Sequence, residues 1–232
     1  MKNKLASIVL VIIALITFSA CSAENTENLL AEIESGIQKN STLENSTYEW
    51  SFSMLPGEID QTAEGVFIAL ENGEYNWTYK EYLGEGQNFS QTAEIDGRQY
   101  ELLSIDKPGF EPEWKQPEGE ILSAIELLHP LFENTIEKEY IDKIEVTEEN
   151  GKQYRVTIND VYVEDVFSET HPNIDFSNPT IELKINAEGY LTKFVSTYAF
   201  TAPEEETVTT TLRYELTDYN IENAEKLFPE IN

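Results

Sequence analysis

The chain has 232 residues, with 15 Lys and Arg against 44 Asp and Glu, and a formal net charge of −29 at neutral pH. A surface this acidic repels DNA and RNA, whose binding rests on neutralising phosphates, so nucleic acid is excluded as a partner. The charge does not imply disorder, because 40% of residues are hydrophobic, and a single cysteine, Cys21, excludes internal disulfides, cysteine zinc sites and a thiol nucleophile from the folded part.

Lys2 and Lys4 open the chain, an apolar run fills Ile8 to Ile16, and Phe18-Ser19-Ala20-Cys21 sets small residues before the cysteine. This is a secretory signal ending in a lipobox-like site. The apolar run is shorter than the roughly 20 residues of a membrane span. Cleavage before Cys21 removes both lysines, leaves a mature charge of −31, and puts a diacylglyceryl group on the Cys21 thiol. The expectation is an extracytoplasmic lipoprotein anchored to the cell membrane; the alternative is an ordinary signal peptide with an incidental cysteine. Residues 1–20 read as the signal, 21–26 as lipidated cysteine and polar tether, and 27–232 as one domain.

Leu29, Leu30, Ile33 and Ile37 recur at helical spacing, with acids early and Lys39 late as the helix dipole favours, which predicts a helix over Glu27 to Lys39. From Thr47 the period becomes two. Tyr48, Trp50, Phe52 and Met54 alternate with polar residues, Pro56-Gly57 turns, and Thr62 to Leu70 forms the next strand. Asn72-Gly73 supplies a primed hairpin turn before Tyr75, Trp77 and Tyr79, and Asp96-Gly97 repeats the device between Gln91–Ile95 and Arg98–Ile105.

A proline-bearing loop over Lys107 to Pro117 precedes a second helix marked by Ile121, Ile125, Leu128 and Phe132 and ended near Pro130. Hairpins resume with Tyr140–Glu148 and Gln153–Asn159 around Asn150-Gly151, and with Thr180–Asn186 and Tyr190–Phe200 around Gly189. Asn159 to Thr170 reads as a third short helix, and Val208, Leu212, Tyr214 and Leu216 mark a final strand. The sum is an α+β fold: one curved antiparallel sheet, a half-barrel, with helices packed on its concave face.

With the lipobox at Cys21, the opening helix, the strand order, the helix after a proline-rich loop and the closing Tyr214-Glu215-Leu216-Thr217-Asp218-Tyr219-Asn220, the chain resembles the LolA-like superfamily. Within it, the chain is similar to the LolA-like lipoproteins of Gram-positive bacteria. The resemblance spans nearly the whole mature chain and rests on the arrangement of elements. It implies a sheet enclosing an apolar cavity for acyl chains or lipidated clients. A soluble carrier has no anchor of its own, so Cys21 points to a tethered lipid-handling protein.

No constellation of catalytic residues accompanies this. His129 and His171 each precede a proline and have no ligand partner at metal spacing, and no nucleophile elbow, phosphate loop or calcium loop occurs, so no enzyme, cofactor or metal is expected. Glu204 to Glu206 reads as a solvated charge run. The candidate ligand-binding residues are Tyr48, Trp50, Phe52, Met54, Tyr75, Trp77 and Tyr79. Such aromatic strand faces line either a cavity or a plain core. The expected function is therefore binding of a hydrophobic or lipidated ligand; the alternative is an envelope interaction module with a filled core and a protein partner.

Overall fold

The computed structural model describes residues 22–56, 59–70, 75–82, 88–105, 107, 109, 111–119, 131, 138–148, 150–159, 175–201 and 206–231. Cys21, the Asn72-Gly73 turn, both histidines and the second and third helices fall outside these residues, apart from Leu131 and Asn159.

One helix, α1 (Ser22–Asn40), is followed by ten strands: β1 (Asn45–Leu55), β2 (Ile59–Ala69), β3 (Tyr75–Tyr82), β4 (Phe89–Ile95), β5 (Arg98–Ser104), β6 (Ile141–Glu148), β7 (Lys152–Ile158), β8 (Asp175–Ile185), β9 (Leu191–Thr201) and β10 (Val208–Tyr219). They make a single curved, unclosed antiparallel sheet in the order β5-β4-β3-β2-β1-β10-β9-β8-β7-β6. Two meanders thus meet at a central seam where the first strand pairs with the last, Ser46 opposite Tyr219 and Leu55 opposite Thr209. Asp96 and Gly97 both have positive φ, 51° and 71°, as the predicted primed turn requires.

Several boundaries differ from the sequence reading, β2 starting at Ile59 and β4 at Phe89 among them, and two have a plain physical reason. The helix starts at Ser22 rather than Glu27, because Ala23 and Glu24 are good helix formers and an acid in the first turn suits the positive end of the dipole. Strand β8 begins at Asp175, before Pro179, although an interior strand normally excludes proline. A bulge resolves this: β9 register jumps from Ser177↔Ala199 to Thr180↔Thr197, so Pro179 sits where no ladder hydrogen bond is asked of it.

The helix packs Leu30, Ile33 and Ile37 into a cluster with Tyr154, Val156, Leu183, Ile185, Leu191 and Phe194. Complete burial of a side chain such as Ile33 contributes about 1.5–3 kcal/mol. At its end, Asn40 is wholly buried; its Nδ2 donates to the carbonyls of Leu131 (3.0 Å) and Leu191 (2.8 Å), and its Oδ1 accepts from the Leu191 amide (3.1 Å). Glu27 pairs with Lys138, Glu32 accepts from Lys152 and the Tyr154 hydroxyl, each at 2.7 Å, and the Lys39 ammonium donates to the Glu188 carbonyl. These contacts run the helix from the upper rim, where β6 starts, to the lower rim, where β8 turns into β9.

Candidate functional site

All seven aromatic and apolar residues singled out from sequence lie on the helix-bearing face of β1 and β3. The strand between them decides whether they meet. Gly65 stands opposite both Tyr48 and Tyr79, and Ala63 opposite Trp50, so β2 forms the floor of a trough walled by β1 and β3. The Tyr48 ring lies across Gly65: a Cβ there would stand 2.2 Å from Tyr48 Cζ and 2.3 Å from its hydroxyl oxygen. Only glycine allows this approach.

Burial is graded from the lower rim upward. Tyr48 and Trp77 are 1% and 2% exposed and belong to the core cluster, together with Phe67 and Leu216. Higher up, Trp50, Phe52 and Met54 on β1 are only half-buried, as are Leu212 on β10 and Tyr198 and Phe200 on β9. Tyr75 and Tyr79 are half-buried as well. The rings of Trp50 and Phe52 are nearly parallel, 6.4 Å between centroids at 11°, and Phe67 meets Tyr75 edge-on at 5.5 Å. Trp50 stands opposite Tyr214 across the seam, and Tyr214 packs edge-on against Phe194 at 6.2 Å.

The polar groups of this face are mostly neutral hydroxyls. Burial pushes the Tyr48 phenol far above its ordinary range, with Tyr79 adding to the shift; burial does the same to Tyr79, reinforced by the Glu81 charge. The side-chain oxygens of Ser46, Tyr48, Thr92 and Thr210 are buried without a hydrogen-bond partner among the described residues. The row Tyr48–Gly65–Tyr79–Thr92 crosses four strands, so two of these oxygens border the trough. Each unpaired buried hydroxyl costs about 1–3 kcal/mol. Toward the β5 edge the face becomes acidic, with Glu81, Glu94 and Glu101 on β3, β4 and β5.

Sequence reasoning found the walls and missed the floor. Ala63 and Gly65 carry the signal as two small residues at alternate positions of one strand, which marks a groove only when both neighbouring strands are known. Tyr214 and Leu212 were read as part of the final strand and acquire their place beside Trp50 and Phe52 through the β1–β10 register.

The opposite face has a different chemistry. Arg155, Lys184 and Lys193 alternate there with Glu145, Glu182 and Glu215 around a groove of about 550 Å³, and Lys143 and Arg213 share that face. Lys143 pairs with Glu145 at 2.6 Å, and Arg213 pairs with Glu215. A second groove, of about 410 Å³, lies between Glu49, Ser51, Thr62, Glu64, Tyr82 and Arg213. Both are open to solvent. Among the described residues no group of three or more His, Cys, Asp or Glu is placed to hold a metal ion, and no helix is long and apolar enough to cross a membrane.

No family model matches the sequence, and no curated protein matches it. Several solved structures are similar in fold. LprF from Mycobacterium bovis is 8% identical with a TM-score of 0.43, covering 85% of this chain and 94% of that one. A chain of the MucA/MucB complex of Pseudomonas aeruginosa is 12% identical with a TM-score of 0.38, covering 89% of this chain and 61% of that one. The LolA superfamily protein NE2245 from Nitrosomonas europaea is 9% identical with a TM-score of 0.28, covering 87% and 97%. At these values the likeness is one of strand arrangement alone.

Proposed function

We propose that this protein is an extracytoplasmic lipoprotein, anchored through a diacylglyceryl group on Cys21, that binds a hydrophobic or lipidated ligand between its curved sheet and its helices without catalysis. One observation carries the reading: the aromatic face is closed at Tyr48 and Trp77 but stays half-buried at Trp50, Phe52, Met54 and Tyr79, of which Trp50 and Tyr79 pack against the core. An apolar chain laid along that trough removes aromatic surface from water at about 25 cal/mol per Å², less the cost of ordering it.

Native mass spectrometry of the full mature chain, followed by organic extraction, tests this. A stoichiometric lipid is expected, and Trp50→Ala should lose that lipid while lowering stability by less than Trp77→Ala, whose side chain is core. A protein that carries nothing and takes up neither fluorescent fatty acid nor phospholipid overturns the reading. It would favour an envelope interaction module, for which the lattice of cations and acids on the opposite face, outside the lipid trough, is the surface to search.

A further inference from the structure

Four large apolar side chains stand exposed among the described residues: Leu55 (57%), Leu103 (40%), Ile105 (39%) and Leu227 (46%). Leu227 closes a groove beside Thr47 and Thr217 on the outer face. The other three share one rim. Successive strands from β1 to β5 are antiparallel, so the carboxyl ends of β1 and β5 point the same way, and Leu55 ends β1 while Leu103 and Ile105 lie at the end of β5. Along the sheet these two points are four strand spacings apart, roughly 19 Å.

The same rim receives the start of α1. Strand β6 begins there, because Ile141 pairs with Ile158 at the end of β7, and Lys138 just before it holds Glu27 of the helix. Ser22 is five residues further out, about 7.5 Å along the helix axis. The residue before Ser22 is Cys21, the proposed point of acylation. Ser22 and the exposed apolar residues therefore lie at one rim, on the β6 side and the β1–β5 side respectively. The half-buried end of the aromatic trough, between β1 and β3, lies at this same rim on the β1–β5 side.

We infer that this upper rim is a membrane-docking surface, on which Leu55, Leu103 and Ile105 enter the headgroup boundary of the bilayer that holds the Cys21 anchor, so that the trough opens onto the lipid. The inference rests on the anchored-lipoprotein reading and adds an orientation to it. Its partner is a zwitterionic surface. Glu206 lies in the β9–β10 turn, and the antiparallel bridge of Lys115 to Glu101 carries Glu111 and Glu113 back along β5 toward the rim, so anionic headgroups are repelled.

The test uses the full chain purified from membranes and returned to phosphatidylcholine vesicles. Leu55→Cys and Leu103→Cys, labelled with an environment-sensitive fluorophore, are compared with Ala187→Cys at the exposed turn of the lower rim. Apolar faces of this kind sit about 5–10 Å into the interface, so nitroxide lipids spin-labelled near the headgroup should quench the two rim labels at least about threefold more than the Ala187→Cys label. Rim labels quenched no more than that control overturn the inference. The intact mass of the amino-terminal peptide reports the anchor separately. If Cys21 proves unacylated, the comparison is repeated on a Cys21→Ser background, where selective quenching keeps the docking surface and discards only the anchor.

Discussion

Replacing Asn40 by alanine removes three hydrogen bonds at once from the point where the helix, the start of β9 and Leu131 meet. Each contributes about 1 kcal/mol net, and the Leu191 amide and the two carbonyls are left in a site with no exposed surface at Asn40 itself, so the loss should be about 3 kcal/mol or more. Urea unfolding followed by far-ultraviolet dichroism reads this as a fall in the midpoint of about 1–2 M with the slope unchanged. Asn40→Asp sharpens the test. Its carboxylate keeps the bond from the Leu191 amide but turns an acceptor toward the Leu131 and Leu191 carbonyls. At neutral pH it should therefore destabilise more than Asn40→Ala. Burial and those two carbonyls raise the folded-state pKa of this carboxyl above its unfolded value, so the penalty shrinks as pH falls through the folded pKa toward about 4. A loss below about 1 kcal/mol for Asn40→Ala, or no pH-dependent recovery of Asn40→Asp relative to it, would refute the clamp.

Gly65→Ala should cost about 1–3 kcal/mol by driving the Tyr48 ring out of the trough, and Tyr48→Phe should not rescue it, since Cζ and the Thr78 carbonyl at 2.8 Å still block the added carbon. Alone, Tyr48→Phe should leave the ligand-free protein unchanged or stabilise it by up to about 1 kcal/mol in thermal unfolding, because the hydroxyl it deletes has no partner among the described residues; a clear loss would reveal one. Glu32→Gln probes the helix clamp. The hydrogen bonds from Lys152 and then Tyr154 hold the Glu32 carboxyl below its usual range, so its contribution is present above the unfolded pKa and is lost as pH falls through the depressed folded one. With both side chains about 40% exposed, solvent screening limits the effect to about 0.5–1 kcal/mol at pH 7, vanishing in strong acid, as paired urea titrations would show.

The legible part of the fold was whatever is periodic. Alternation along β1, β3, β8 and β10 and the turn chemistry of Asp96-Gly97 and Asn150-Gly151 are local, and local rules placed them. What escaped depends on partners distant in sequence. Proline at 179 argues against an interior strand until the Ser177/Thr180 bulge gives it a place without a ladder bond. The trough was half-legible for the same reason: Tyr48 and Tyr79 announce themselves as aromatic walls, whereas Gly65 looks like a weak point in a strand until its neighbours on both sides are known. Asn40 reads as an ordinary helix terminus, because nothing near it in sequence reveals the backbone of residues 131 and 191 that it joins.

The seam between β1 and β10 bears on how the chain assembles. Its pairs, such as Glu49 with Glu215 and Trp50 with Tyr214, join residues more than 150 positions apart and are all that laces the two meanders together in the sheet. Each meander can zip from its own hairpins, but the seam closes a loop that includes almost the entire domain, an entropic step that precedes any reward from the contacts it makes. The half-barrel is therefore keystoned by its last strand. A chain emerging amino end first holds Trp50 and Phe52 without their Tyr214 and Leu212 partners until β10 arrives, and a chain cut before Val208 is left as two separate half-sheets, each with a bare inner edge.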